Sequence, residues 1–505
     1  MSNINRLFNL ELNPINIGLE TFYDTFNNQK VNAIHLEWKP PAQGDTKLGE
    51  ILSKLNLEKI NAANKKAFDI INQAEPILTD IKYAKDVIPD MDKYTIGHAG
   101  PPLTWDKMCG PLQGAILGAI VYEGIASDLE VAKSLVESGK IKFRSNHSMG
   151  CVGPMTGMIT YSMPLWEVKN TSFGNVAYST LNEGLGKVMR FGANSPDVIE
   201  RLKWIETELA PVLKKALVLS GPISMKVLIA KALAMGDEMH QRNTGATSLF
   251  VREIMKYLVR VVEDKETLYR ITDFVTGNDQ FFLNLAMASG KAIMDPSKNI
   301  PNSTVVTTMS RNGTNFGIKI SSLGEEWFEA PVNNPKGLYF PGYSEEDANP
   351  DIGDSAIVET FGIGGFAMGS SPAVVRFVGA SSVSEAMAYS RDMQEICVGL
   401  SPHYVIPPMD FVGVATGIDA IKVVETGILP VINTGMAHMG IGRASGENRA
   451  EDAAKQAVQS PMLETSIEGA RGVIINITGG TNLGLHEVNT AAELVQRSVD
   501  PEANI

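Results

Sequence analysis

The chain has 505 residues, of which 44% are apolar and 20% charged, and its net charge is −13. One hydrophobic core cannot organise that length, so three or four domains are expected, and the balance is that of a folded soluble protein rather than a disordered one. An acidic chain with no Lys/Arg cluster repels a phosphodiester backbone, which excludes nucleic acid as the expected partner, whereas small anions remain open because a local site can be positive.

In chain order, "PINIGL", "ETFYDTFNNQK" and "VNAIHLEW" read as strand, helix, strand, the unit that builds parallel sheet. After the breaker "KPPAQGD", residues 47 to 88 read as helical, and segment 1–95 forms the first unit. Residues 96–179 are rich in glycine and proline around a helix near 112 to 138. Segment 180–295 reads as a helical middle domain. Thr180 and Glu183 have the spacing of a capping box, Ser195 and Pro196 open a helix, and Ile199, Leu202, Ile205 and Leu209 form its apolar stripe. Segment 296–436 returns to strand-like runs, "STVVTTM", "FGIKISSL" and "SAIVETFGI", with helical "SEAMAYSRDMQEICVGL", and reads as a second α/β domain. Residues 437–505 alternate helix and strand again. The expected fold class is α/β (mixed α+β), multidomain, with a C-terminal α/β fragment.

Cys109, Cys151 and Cys397 are far apart and form no CxxC pair, which fits a reducing cytoplasm and argues against a disulfide framework or zinc knuckle. Cys151 reads as a small buried hydrophobe rather than a nucleophile. The first residues, "MSNINRLFNLELNP", lack the apolar run of a signal peptide, and no stretch of about 18 apolar residues suggests a membrane span. A cytoplasmic location follows as the expectation.

No GxxxxGK[ST], HExxH or GxSxG motif is present. Chemistry is therefore sought in glycine-rich turns carrying polar groups. "HAGPPLTWDKMCGP" offers His98 beside Trp105, either an anion-holding or proton-shuttling imidazole or a turn that packs its tryptophan. "NHSMGCVGPMTG" offers His147 and Ser148 ahead of Gly150 and Gly153, whose amides can face a ligand. In "TLNEGLGKVMRFG", Glu183 and Lys187 are a helical i,i+4 pair and Arg190 lies one turn on. Lys187 and Arg190 are candidates for holding a carboxylate or phosphate, against a surface ion pair. In "MGDEMHQRN", Glu238 and Arg242 share a helix face while His240 points elsewhere, too few ligands for a metal. In "NPDIGDSAIVETFGIGGFAMG", Asp351, Asp354 and Glu359 surround a strand running into Gly362, Gly364 and Gly365, a loose phosphate cradle or a tight packing turn. Asn312, Gly313 and Thr314 read as a hairpin turn.

These segments, together with "GNDQFFLNLAMA", "GLYFPGY" and "ETGILPVINTG", resemble the AllG (YlbE-like) proteins over roughly residues 1 to 436. The resemblance implies a subunit of an oxamate carbamoyltransferase of allantoin catabolism, working with two other kinds of subunit in an oligomer. The implied reaction is phosphorolysis of oxalurate to oxamate and carbamoyl phosphate; no cofactor is expected, and no metal-ligand set is read from the sequence. Such chemistry needs two anion sites, donors for an oxyanion and a proton for the leaving nitrogen. His98 and His147 are the candidate proton donors. Lys187, Arg190 and Arg311 are the candidate anion holders, with Gly362, Gly364 and Gly365 meeting phosphate. A noncatalytic assembly subunit is the competing reading.

After "INTG" the text changes. Residues 435–505 resemble part of the C-terminal domain of the tubulin-like division GTPase FtsZ, which implies a join between two unrelated reading frames. The nucleotide loop of that family, "GGGTGTG", is not in the chain, and Val412 and Gly413 after Asp410 break the likeness of "PMDFVGV" to its catalytic loop. GTP hydrolysis and a division-filament role are accordingly not expected. The opening glycines of the tail, "GMAHMGIGRASG", are read as part of that likeness rather than as a phosphate site.

Overall fold

A computed structural model describes residues 14–17, 20–36, 40–333, 349–374, 382–433 and 485–497. The chain opens with β1 (Ile15–Ile17), α1 (Glu20–Asn28) and β2 (Ile34–Leu36), and β1 pairs parallel to β2 as the strand–helix–strand pattern predicts. Next come α2 (Thr46–Ser53), α3 (Leu57–Gln73), β3 (Pro76–Tyr83), β4 (Thr95–His98), α4 (Gly110–Tyr122), α5 (Leu129–Glu137) and β5 (Lys142–Ser145). Then follow β6 (Cys151–Val152), β7 (Pro164–Asn170), β8 (Val176–Thr180), α6 (Pro196–Trp204), α7 (Ala210–Ser220), β9 (Ile223–Ser224), α8 (Met225–Ala234), α9 (Thr244–Val261), α10 (Lys265–Thr276) and α11 (Leu283–Met294). The last part holds β10 (Val306–Asn312), β11 (Asn315–Ile320), β12 (Phe328–Pro331), β13 (Ile352–Gly353), α12 (Val383–Glu395), β14 (Cys397–Ile406), β15 (Val412–Ile418), α13 (Ala420–Thr426) and α14 (Leu485–Arg497). The class is mixed α/β, as the sequence implies.

Five strands in the order β6-β8-β7-β3-β9 make the largest sheet, and β12-β11-β10-β13 make a second. The first sheet takes its strands from residues 76–83, 151–152, 164–170, 176–180 and 223–224, so it crosses three of the segments that the sequence delimits. Against it packs α11, "LNLAMASGKAIM", every residue of which is buried. A helix apolar nearly all round has to be wrapped by protein on all sides. Trp166 anchors the same core, edge-on to Phe250 and Phe281 at 5.8 and 5.9 Å between centroids.

Five stretches differ from the sequence expectation. "PILTDIKY" is a central strand, not helix, and a bulge between Leu78 and Asp80 breaks the alternation that would mark it. "TLNEGLGKVMRFG" is not a helix: β8 ends at Thr180, and Gly184 and Gly186 sit at φ +96° and +84°, outside helical space. Thr180 therefore caps nothing, and Glu183 instead accepts from the amides of Met189 and Arg190. "MGDEMHQRN" is a loop between α8 and α9, so Glu238 and Arg242 share no helix face. "SAIVETFGI" is a buried pair of helical turns, Asp354–Ala356 and Ile357–Thr360, not a strand, and "CVGL" begins β14 rather than ending a helix. The turn at Asn312–Thr314 does close the β10–β11 hairpin, and the opening of α6 at Pro196 after Ser195 is as expected.

Candidate functional site

The two helical turns at 354–360 lie under the end of β10, and polar side chains from five chain segments converge on them. One face is organised by Asp354, which is fully buried. Its Oδ1 accepts from the Gly100 amide at 2.9 Å and Ser310 Oγ at 2.6 Å. Its Oδ2 accepts from Asn146 Nδ2 at 2.9 Å and the Gly153 amide at 3.0 Å. His147 Nε2 lies 3.4 Å from Asp354 Oδ1, but not aligned as a hydrogen bond. His98 lies on the neighbouring strand, because β4 and β5 run parallel with His98 opposite Ser145, two residues before His147.

This face is short of partners. His98 Nδ1 meets the Ala99 carbonyl at 2.8 Å, but His98 Nε2, Asn146 Oδ1 and both ring nitrogens of His147 are buried without a hydrogen bond. An unsatisfied buried polar atom costs about 1–3 kcal/mol. Burial pushes the His98 imidazole below its usual range. Burial, with the Lys291, Lys298 and Lys319 charges, pushes His147 well below it. Both rings are thus neutral near pH 7 and each keeps one N–H and one free lone pair. Three lysines beside them are tied to carboxylates: Lys291 and Lys298 to Asp295, Lys298 and Lys319 to Glu325.

The other face is organised by His240. Its Nδ1 lies 2.6 Å from Glu359 Oε1 and its Nε2 2.8 Å from Ser355 Oγ. Arg311 flanks Ser355: Nη1 reaches Ser355 Oγ at 3.4 Å and the Gly353 carbonyl at 2.8 Å, while Nε and Nη2 hold Asp351 bidentately at 2.7 and 3.0 Å. Glu359 Oε1 also takes the amides of Gly365 at 3.0 Å and Asn433 at 3.2 Å. Glu238 completes the face, accepting from the amides of His240 and Arg242 and from Asn433 Nδ2. Burial raises the Glu238 carboxyl to about 7, a value poised for proton exchange near neutral pH.

Of the residues singled out from sequence, the fold brings His147, His240, Glu238, Arg311, Asp351, Asp354 and Glu359 to this seam, with His98 on the strand beside it. Gly362, Gly364 and Gly365 border it, but their amides are engaged within the chain, by the Glu359 carbonyl, the Glu238 carbonyl and the Glu359 carboxylate. A Cβ on Gly365 would come 2.3 Å from the Val431 carbonyl, so the turn is also a close packing contact. Arg190 lies in a buried loop, donating to the Gly184 carbonyl and Gln280. Lys187 is exposed and pairs with Asp197 at 3.4 Å. Cys151 is buried, and burial pushes its thiol up to about 12, as suits a packing residue. Ser355 and Asn146 are brought in by tertiary structure alone, whereas Asp354 and Glu359 were visible in sequence only as acids flanking a glycine turn. His240 was visible in sequence only as a lone imidazole among acids.

Comparison with known proteins fixes the family. A model of the oxamate carbamoyltransferase subunit AllG family matches residues 141–355. The oxamate carbamoyltransferase subunit AllG of Escherichia coli strain K12 is 46% identical over 75% of this chain and 92% of its own. The chain belongs to the AllG family. The family chain is also 43% identical to a protein of the same organism named Uncharacterized protein YahG, over 86% of this chain and 93% of that one. A crystal structure of a conserved protein of unknown function from Enterococcus faecalis V583 superposes with a TM-score of 0.74 at 44% identity, covering 76% of this chain and 91% of that chain. Residues 435–505 match the C-terminal domain of the FtsZ family, so two families meet in one AllG-type chain. Of that tail, only α14 lies within the described residues.

Proposed function

We propose that this chain is a catalytic subunit of an oxamate carbamoyltransferase, moving a carbamoyl group between oxamate nitrogen and phosphate in a multisubunit assembly. Allantoin breakdown in the cytoplasm is the corresponding setting. Both substrates are small anions, and each turnover relocates one proton and develops charge on the carbamoyl oxygen. The observation that carries the reading is the set of buried, unpartnered atoms on His98, Asn146 and His147 around Asp354. A planar ureido group offers N–H donors and a carbonyl acceptor that match such atoms. Neutral His147, with both ring nitrogens unengaged, is suited to donate an N–H to the carbamoyl oxygen, while His98, whose Nδ1–H is given to the Ala99 carbonyl, offers its Nε2 lone pair to a substrate N–H or proton. Of the predicted cations, Arg311 is the one held at the seam, and a substrate carboxylate there would share its guanidinium with Asp351.

Oxalurate phosphorolysis by the assembled enzyme tests this. His98→Ala and His147→Ala are each expected to cut turnover by about a hundredfold or more. Wild-type rates in both would remove the histidine pair from the mechanism. Activity of the isolated chain separates a catalytic from a purely assembling subunit. The join near residue 436 is tested by a sequencing read spanning codons 425 to 445.

A further inference from the structure

Ser355, His240 and Glu359 stand in hydrogen-bond sequence: hydroxyl to imidazole at 2.8 Å, imidazole to carboxylate at 2.6 Å. They come from two separate segments, a loop between α8 and α9 and the buried turns after β13, so no local sequence motif announces them. All three are buried: Glu359 wholly, His240 at 1% exposure, and Ser355 at 5%. The order of atoms matters. Glu359 on Nδ1 fixes the tautomer in which Nδ1 carries the proton, leaving the Nε2 lone pair to accept from the serine hydroxyl. Glu359 is itself held by two backbone amides, those of Gly365 and Asn433. The glycine turn after the helical segment thereby orients the carboxylate. Ser355 opens no helix of its own and its hydroxyl caps nothing. Its contacts are His240 and, at 3.4 Å, the Arg311 guanidinium.

Resting on the transferase reading above, we propose that Ser355 is the nucleophile of a two-step transfer that passes through an O-carbamoyl serine. In the first step Ser355 Oγ bonds to the carbamoyl carbon of oxalurate while His240 Nε2 takes the hydroxyl proton. The bond from that carbon to the oxamate nitrogen breaks, and His240 returns the proton to the nitrogen, releasing oxamate. In the second step an oxygen of hydrogen phosphate bonds to the same carbon, and its proton passes through His240 to Ser355 Oγ as the ester bond breaks. Carbamoyl phosphate leaves and the serine is restored, with no oxidant or further reactant. Arg311, paired with Asp351, points an N–H at Ser355 Oγ, where it can stabilise negative charge developing on that oxygen. Glu359 is a positioning residue in this scheme.

The decisive measurement is made on the assembled enzyme without phosphate. Labelled oxamate should exchange into oxalurate, and mass spectrometry of peptides after an oxalurate quench should find a carbamoyl adduct on Ser355. Ser355→Ala should abolish the adduct and the exchange while still binding oxamate by calorimetry, which shows that it is folded. Glu359→Gln should lower kcat about a hundredfold with KM for oxalurate little changed, and Glu359→Asp should recover part of it. An enzyme that turns over oxalurate with phosphate, yet shows neither exchange nor adduct without it, overturns the covalent route and leaves the transferase reading standing. An assembly that never turns over oxalurate overturns both. Full turnover by Ser355→Ala removes the serine from the chemistry.

Discussion

Replacing Asp354 by alanine removes one carboxylate from four donors at once. Two of them have somewhere else to go: Ser310 Oγ already reaches the Gly353 carbonyl at 3.1 Å, and Asn146 Nδ2 the Gly157 carbonyl at 2.7 Å. The Gly100 and Gly153 amides lose the acceptor they use. At about 1–3 kcal/mol for each buried orphan, the loss is about 2–6 kcal/mol. Relief of a buried charge offsets part of it, since burial raises the Asp354 carboxyl above its ordinary range. The net expectation is a destabilisation of about 2–4 kcal/mol. Asp354→Asn restores shape but not pattern. Its amide NH2 would face Asn146 Nδ2 and the Gly153 amide, donor against donor, so it too should destabilise. The assay is urea unfolding followed by tryptophan fluorescence, together with hydrogen exchange at residues 97–100 and 150–157. A midpoint within about 0.5 kcal/mol of the parent, with the Gly100 and Gly153 amides still protected, would refute the role given to Asp354.

Three further outcomes follow from the same geometry. Glu238 is held by burial at about 7, above the ordinary carboxyl value of 4.5, so the folded state binds the proton more tightly than the unfolded one. Its contribution is full below about pH 4.5 and fades as pH rises to about 7. Glu238→Gln should therefore flatten the fall in stability over that range by about 3 kcal/mol, measured by thermal unfolding at stepped pH, and an unchanged profile would contradict it. Arg311→Lys keeps a charge but not the bidentate grip on Asp351, and Arg311→Ala leaves that carboxylate unpaired. Losses of about 1–2 and about 3–5 kcal/mol are expected in urea unfolding, and equal stability of the two variants would argue against the fork geometry. Lys187→Ala should change stability by less than about 0.5 kcal/mol and leave the KM for oxalurate unaltered, because the Lys187–Asp197 pair is more than half exposed on both sides. A large rise in KM would return Lys187 to the substrate site.

Local sequence determined a good deal of this protein. Periodicity gives the first strand–helix–strand unit, Ser195 and Pro196 give the α6 start, and the Asn312–Thr314 turn gives the β10–β11 hairpin, because each is set by residues close along the chain. The AllG-like and FtsZ-like texts and the change between them are equally legible, since long motifs need no folding to be read. Tertiary structure decided what local patterns cannot. "PILTDIKY" becomes a central strand because β7 and β9 pair with it across 80 and more residues. "SAIVETFGI" turns helical because it is enclosed between α11 and β10. His240 meets Ser355 and Glu359 across 115 and 119 residues. A hydrogen bond forms over about 3 Å of space whatever the separation along the chain, so the residues of the seam carry no shared spacing for a sequence reading to find.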